Sequence, residues 1–230
     1  GSFVITGAFT GSLNTDLNGG EHEISSGDSE LAFFIAKYDN NGNLVWVKTM
    51  SGNGTGTGNL VSIDEKGDIY AVGTFSGTIL FETQSMTAAS VENTDNFLVK
   101  YAADGSMVWA RSLKGSKLDD INAMDVANHQ VVIGGVIRSE DLAVDNAPGI
   151  LMKTLDTTGT WNSMLLISFD TDGNYQWNYI AGSINQPTDV KTIAIEKDGS
   201  IWNAGTAFGT YYFNPDAEDE ARQFPSKAKG

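Results

Sequence analysis

The chain has no cysteine, which excludes disulfides, thiolate zinc sites and a cysteine nucleophile. Secretion stays open, because a large β-fold is stable without such staples. Histidine is scarce as well, with 2 in the chain, and neither an H-E-x-x-H nor a G-x-S-x-G pattern occurs. Positive charge is in short supply. Against 29 Asp and Glu stand 14 Lys and Arg, a net charge of -15 that repels phosphate backbones and anionic lipid heads, so nucleic acid is not an expected partner. No apolar run approaches the roughly 20 residues that span a bilayer, and membrane insertion is not expected either. What the 230 residues do hold is a core-forming share of hydrophobic residues, 40%, together with 26 glycines.

The chain repeats itself. The stretch YDNNGNLVW at 38–46 returns as YAADGSMVW at 101–109 and as FDTDGNYQW at 169–177, each preceded by an apolar run, FFIAK, NFLVK or MLLIS. Trp46, Trp109 and Trp177 are equivalent positions. A second motif interleaves with the first: FVITGAFTGSL from 3, IYAVGTFSGTI from 69, VVIGGVIRSED from 131 and IWNAGTAFGTY from 201, marked by Gly7, Gly73, Gly134 and Gly205. A period of roughly 60 to 70 residues signals units that bury their faces only against neighbours. Each unit reads as four short strands, a to d, seen whole at 60–64, 68–75, 96–101 and 106–112. DEKG and AADG between them are hairpin turns. The predicted fold is all-β, a β-propeller of four-stranded antiparallel blades. Lys48 and Arg111 in the last strands place charge on exposed edges.

The pattern F-[IL]-[AV]-K-Y-[DA]-x-x-G-x-[LM]-V-W, followed by a Gly-rich connector, an a strand and DEKGDIYAVGTFSGT, resembles the bacterial seven-bladed β-propeller repeat family over residues 2 to 213. The resemblance implies a propeller fold in proteins that are mostly secreted or on the bacterial cell surface. It implies no common activity and no catalytic residue. The chain departs from the pattern where VIRSED replaces TFSGT at 136–141 and where Ser168 and Phe169 replace Lys-Tyr.

Counting strands gives a partial blade at 2–50, blades at 60–113 and 121–180, a partial blade at 190–213, and an acidic then basic tail at 214–230. The tail's QFPSK is the one remaining c-strand candidate. The expectation is an incomplete ring, an excerpt of a longer propeller, with a compact four-bladed ring closed by the termini as the alternative.

DNNGN at 39–43 invites a calcium reading, but an EF-hand needs glycine at the sixth position and Glu at the twelfth, so a tight turn is expected. DTDGN offers the better calcium candidates, Asp170, Asp172 and Asn174. SGNGTGTGN at 51–59 lacks the Lys-Ser/Thr ending of a phosphate loop and reads as a blade connector. The b-to-c links are long, at about 10–31, 76–95 and 137–162, so insertions are expected to gather on one binding face. Its candidate ligand residues are Glu21 and Glu23, Glu140 and Asp141, and Trp161, whose indole either stacks on a sugar or partner or packs into a c strand.

These features predict a non-enzymatic, extracellular or cell-surface bacterial module that binds a protein or glycan on its long-loop face, with no cofactor. One alternative is a polysaccharide-active enzyme using loop carboxylates such as Asp119 and Asp120, or Glu140 and Asp141. Another is a structural spacer in a long surface protein.

Overall fold

In this computed structural model the described residues are 1–90, 93–156, 160–183, 186–212 and 223–225, and among them there is no helix. They form antiparallel sheets of the β-propeller kind in two compact units, Gly1–Ser112 and Leu113–Gly230. Most of the tail at 214–230 lies outside the described residues.

The first unit opens with β1 (Ser2–Phe9), β2 (Ser12–Asn14), β3 (Glu23–Ser25), β4 (Ala32–Asp39) and β5 (Leu44–Thr49), where β1, β4 and β5 make one sheet in that order. β4 reads AFFIAKYD, apolar on both faces, and it is buried accordingly because it is the middle strand. Next come β6 (Ser51–Gly52), β7 (Thr55–Ile63), β8 (Ile69–Ser76), β9 (Thr78–Phe81), β10 (Gln84–Thr87), β11 (Asp95–Tyr101) and β12 (Met107–Lys114). β7, β8, β11 and β12 lie side by side in sequence order in a sheet to which a fifth, two-residue strand is added beyond β12, while β6, β9 and β10 form a separate ribbon. β7 lies against β1 and β4. Between the two sheets Phe33, Phe81 and Phe97 are fully buried with ring centroids 5.0 to 5.6 Å apart, edge to face. Each such pair adds roughly 0.5–1.5 kcal/mol beyond its buried area.

In the second unit the last residues of β12, Leu113 and Lys114, pair with β15 (Ala143–Val144), which follows β13 (Asp120–Ala127) and β14 (Gln130–Ile137). β13, β14, β16 (Ser163–Asp170) and β17 (Tyr175–Ala181) make a four-stranded sheet. β18 (Thr188–Ile195) pairs with β19 (Ile201–Ala207), and β18 packs over β13, β14 and β16 around Val132, Leu166, Val190 and Ile193. β20 (Thr210–Tyr212) and β21 (Gln223–Pro225) close a short hairpin. Of QFPSK, then, Gln223–Pro225 is a strand, but it pairs with β20 and does not extend the β18–β19 sheet as a c strand.

Three features differ from the sequence reading. The glycine-rich 51–59 is mostly strand, and only Asn53 and Gly54 link β6 to β7. Its glycines serve close approach: a Cβ on Gly58 would overlap Thr6 Oγ1, and one on Gly54 would overlap the Ser76 carbonyl. Second, the b-strand glycine of the third repeat is Gly135, not Gly134. Pairing jumps from Gly58↔Gly73 to Leu60↔Val72, from Ile121↔Gly135 to Ala123↔Gly134 and from Val190↔Gly205 to Thr192↔Ala204, so a one-residue bulge in each first strand faces Gly73, Gly135 and Gly205.

Third, the long insertions are not free loops: each returns to a sheet, and the third also pairs its β15 with the end of β12. Asn18 Nδ2 donates to Asn43 Oδ1 at 2.9 Å, Asn146 Nδ2 donates to the Gly173 carbonyl at 2.6 Å, and the Gln84 amide donates to the Ala110 carbonyl and accepts from the Ala110 N–H. These loops carry amides and apolar residues enough to satisfy a sheet edge, and an exposed edge is costly to leave bare.

Candidate functional site

The repeated turns come first. Asp39 Oδ1 accepts from the N–H groups of Asn41 and Asn43 at 2.8 and 2.9 Å, and Oδ2 accepts from Asn43 Nδ2 at 2.8 Å. Gly42 takes φ 80° to let the chain reverse. Asp170 is arranged likewise, receiving the N–H groups of Asp172 and Asn174 and Asn174 Nδ2, with Gly173 at φ 80°. The calcium candidates Asp170, Asp172 and Asn174 therefore sit in a turn whose leading carboxylate is engaged by N–H donors. A cation there would have to displace those donors. The hydrogen bonds from Asn43 hold the Asp39 carboxyl below the usual carboxylate range, and those from Ser106 and Ser200 do the same for Asp104 and Asp198.

Three carboxylates, Asp119 and Asp120 at the start of β13 and Asp141 in the third insertion, are tied into the fold. Asp119 is 2% exposed and accepts from Ser139 Oγ at 2.5 Å, from the Ser139 N–H at 2.9 Å and from the Arg138 N–H at 2.6 Å. Burial pushes its pKa up, against the pull of those donors. Asp120 forms an ion pair with Arg138 at 2.8 Å. Asp141 accepts from the Ser116 N–H and hydroxyl, and Glu140 is exposed beside it. Trp161 precedes β16 rather than packing within it. It is 38% exposed, and its backbone N–H is anchored on the fully buried Asp156.

Glu21 and Glu23 are exposed on the first insertion, and Glu23 lies in β3 opposite Asn14. Glu21 alone of the two borders a cleft of about 380 Å³, together with Asp16, Asn18, His22, Asn43 and Trp46. The loop is built around Asp16, whose Oδ1 accepts the N–H groups of Asn18 and Gly20 at 2.7 and 3.1 Å. His22 is held through Thr15, with Nδ1 to Oγ1 at 3.1 Å, and the Tyr38 hydroxyl pins the Thr15 carbonyl at 2.8 Å. Trp46 is fixed from beneath: its Nε1 donates to the Ala103 carbonyl at 3.3 Å and its ring lies 6.0 Å from that of Tyr101. The cleft is a rigid indole with acidic and amide groups around it and no Lys or Arg among its lining residues. Such a surface suits a cationic group, which gains from the carboxylates and from the indole face together.

Sequence reasoning named Glu21 but missed Asp16, Asn18, Asn43 and Trp46. Trp46 was legible as a repeat position, and its counterpart Trp109 is indeed packed away, 6% exposed against Tyr70. A second, shallower depression of about 430 Å³ surrounds Trp202. Trp202 is 65% exposed although Tyr70 and Val132 at the same strand position are fully buried, because β19 has no further strand beside it among the described residues.

No family model matches the chain. It is similar to the regulatory protein FlaEY of Caulobacter vibrioides, 27% identical over 164 residues that cover 70% of this chain and 16% of that protein. It is also similar to the uncharacterized WD repeat-containing protein L264 of Acanthamoeba polyphaga mimivirus, 24% identical over 172 residues, 70% of this chain and 12% of that protein. The chain thus spans less than a fifth of either relative. Likeness to a WD repeat protein agrees with the four-stranded sheets in pointing to a propeller type of repeat.

Proposed function

We propose that the chain is a non-enzymatic β-propeller module of the bacterial seven-bladed repeat kind, displayed outside the cell, that binds a protein partner through a basic segment seated in the Trp46 cleft. The observation that carries this reading is the cleft itself, a fixed indole ringed by Asp16, Glu21 and amide groups on a chain of net charge -15. The relatives, a regulatory protein and a WD repeat protein by name, suit a binding module. The engagement of Asp119, Asp120 and Asp141 by protein donors supports the non-enzymatic reading over a carboxylate enzyme.

The test is a titration with an oligoarginine peptide at low salt, following the Trp46 indole N–H by NMR. Saturable shifts are expected, weakened by Glu21→Lys much more than by Glu65→Lys, which makes the same charge change on the exposed turn between β7 and β8. Equal weakening by both variants would reduce the effect to net charge and overturn the site.

A further inference from the structure

Asparagine is followed by glycine three times, at Asn18 and Gly19, Asn41 and Gly42, and Asn53 and Gly54. In such a pair the glycine has no Cβ to shield its nitrogen from the preceding side-chain amide, and its backbone turns freely. Folding restrains two of the three. The Gly54 N–H donates to the Thr78 carbonyl at 2.9 Å, and the residue is buried so tightly that a Cβ on it would overlap the Ser76 carbonyl. The Gly42 N–H donates to the Asp39 carbonyl at 3.1 Å, inside a turn that Asp39 also closes through both carboxylate oxygens. Gly19 is different. Among the described residues its N–H meets no acceptor, it is exposed, and a Cβ built on it would touch nothing within 4 Å. The Asn18 side chain is held by an exposed bond, from Nδ2 to Asn43 Oδ1.

We propose that Asn18 and Gly19 form a self-modification site at the rim of the Trp46 cleft. The Gly19 nitrogen attacks Asn18 Cγ, the Cγ–Nδ2 bond breaks, and ammonia leaves with the proton given up by Gly19, closing a succinimide. Water then adds to either ring carbonyl and the ring opens, leaving aspartate or its β-linked isomer in place of Asn18. No other reactant enters. The product changes the cleft in two ways, whatever the cleft binds. It adds a negative charge beside Asp16 and Glu21. It also removes the Nδ2 donor, and because Asn43 Nδ2 is committed to Asp39 Oδ2, the new carboxylate and Asn43 Oδ1 are left facing each other as two acceptors. The first insertion thereby loses its bond to the turn between β4 and β5, in a step that runs one way and records the age of the molecule.

The test keeps the whole chain in warm, mildly alkaline buffer for days and maps its peptides by mass spectrometry for the gain that replaces NH2 by OH. Conversion at Asn18 is expected to run about fivefold or more ahead of Asn41 and Asn53, the ratio that one ordinary hydrogen bond sets. In urea, where no N–H is held, the three sites should convert at similar rates, which ties the difference to the fold. Asn18→Gln, whose longer side chain would have to close a larger ring, should abolish the gain in that segment. In the aged protein and in Asn18→Asp alike, the Asn43 side-chain amide resonances should shift. Native conversion at Asn18 no faster than at Asn41 or Asn53, the same order of rates persisting in urea, or an Asn43 amide that stays in place would overturn the proposal.

Discussion

Replacing Gly135 by alanine distinguishes which of two adjacent glycines the sheet requires. A Cβ at Gly135 would overlap the Asp120 carbonyl oxygen and lie 2.9 Å from its carbon and 3.0 Å from Ile121 Cα, backbone atoms that cannot rotate away. At Gly134 the nearest atoms are Leu166 Cδ2 at 2.8 Å and Ile193 Cδ1 at 2.9 Å, the ends of flexible side chains. Opening the bulge forfeits ladder hydrogen bonds worth ~0.5–1.5 kcal/mol each, and crowding adds ~1–3 kcal/mol, against ~0.5–1 kcal/mol regained by removing a strand glycine. The expected net loss for Gly135→Ala is about 3 kcal/mol, and for Gly134→Ala about 1 kcal/mol. At roughly 2–4 °C per kcal/mol for a chain of this length, the melting temperature should fall by about 10 °C in the first case and about 3 °C in the second. Urea unfolding followed by far-ultraviolet circular dichroism, with thermal melts alongside, measures both. A Gly134 variant as damaged as the Gly135 variant, or a Gly135 variant within about 0.5 kcal/mol of the parent, would refute the bulge as the reason for the glycine.

Asp119→Ala leaves the Ser139 hydroxyl and the N–H groups of Ser139 and Arg138 without their acceptor, and it should cost about 3 kcal/mol in the same unfolding assay. Because burial raises the Asp119 pKa, its protonation should favour the folded state: that contribution is full below the ordinary carboxyl value of 3.8 and is lost as pH rises through the folded pKa. Asp39, Asp104 and Asp198 behave oppositely. Their lowered pKa values give stability that is present above 3.8 and lost as pH falls through the folded values, so carboxyl chemical shifts should show all three titrating below 3.8. Adding calcium should leave the melting temperature and the Asp170 turn resonances unchanged, and a saturable shift confined to Asp170, Asp172 and Asn174 would restore the metal reading.

Strand content and antiparallel order were legible because the repeats supply their own alignment: Trp46, Trp109 and Trp177, and the turns that precede them, fall in register by inspection. The register of VVIGG was not, since two glycines adjoin and only the pairing partner distinguishes them. Counting from the strand start, as in FVITG, IYAVG and IWNAG, would have selected Gly135. The course of the insertions was hidden for a different reason. Link length tells where a loop leaves the sheet, whereas its return path depends on single amides, Asn18, Gln84 and Asn146, that meet groups far away in sequence. The cleft inherits that blindness: Glu21 stood out as a loop carboxylate, but its proximity to Trp46 follows only from the folded-back loop.

Gln84 offers both halves of a peptide group to Ala110, a donor to its carbonyl and an acceptor to its N–H. A side chain thereby stands in for one rung of a neighbouring strand. At that rung the outer margin of β12 is chemically saturated, and any foreign strand would first have to evict an intramolecular competitor present at a high effective concentration. A side chain placed so lets β12 turn an edge outward at its middle without presenting a bare peptide group there.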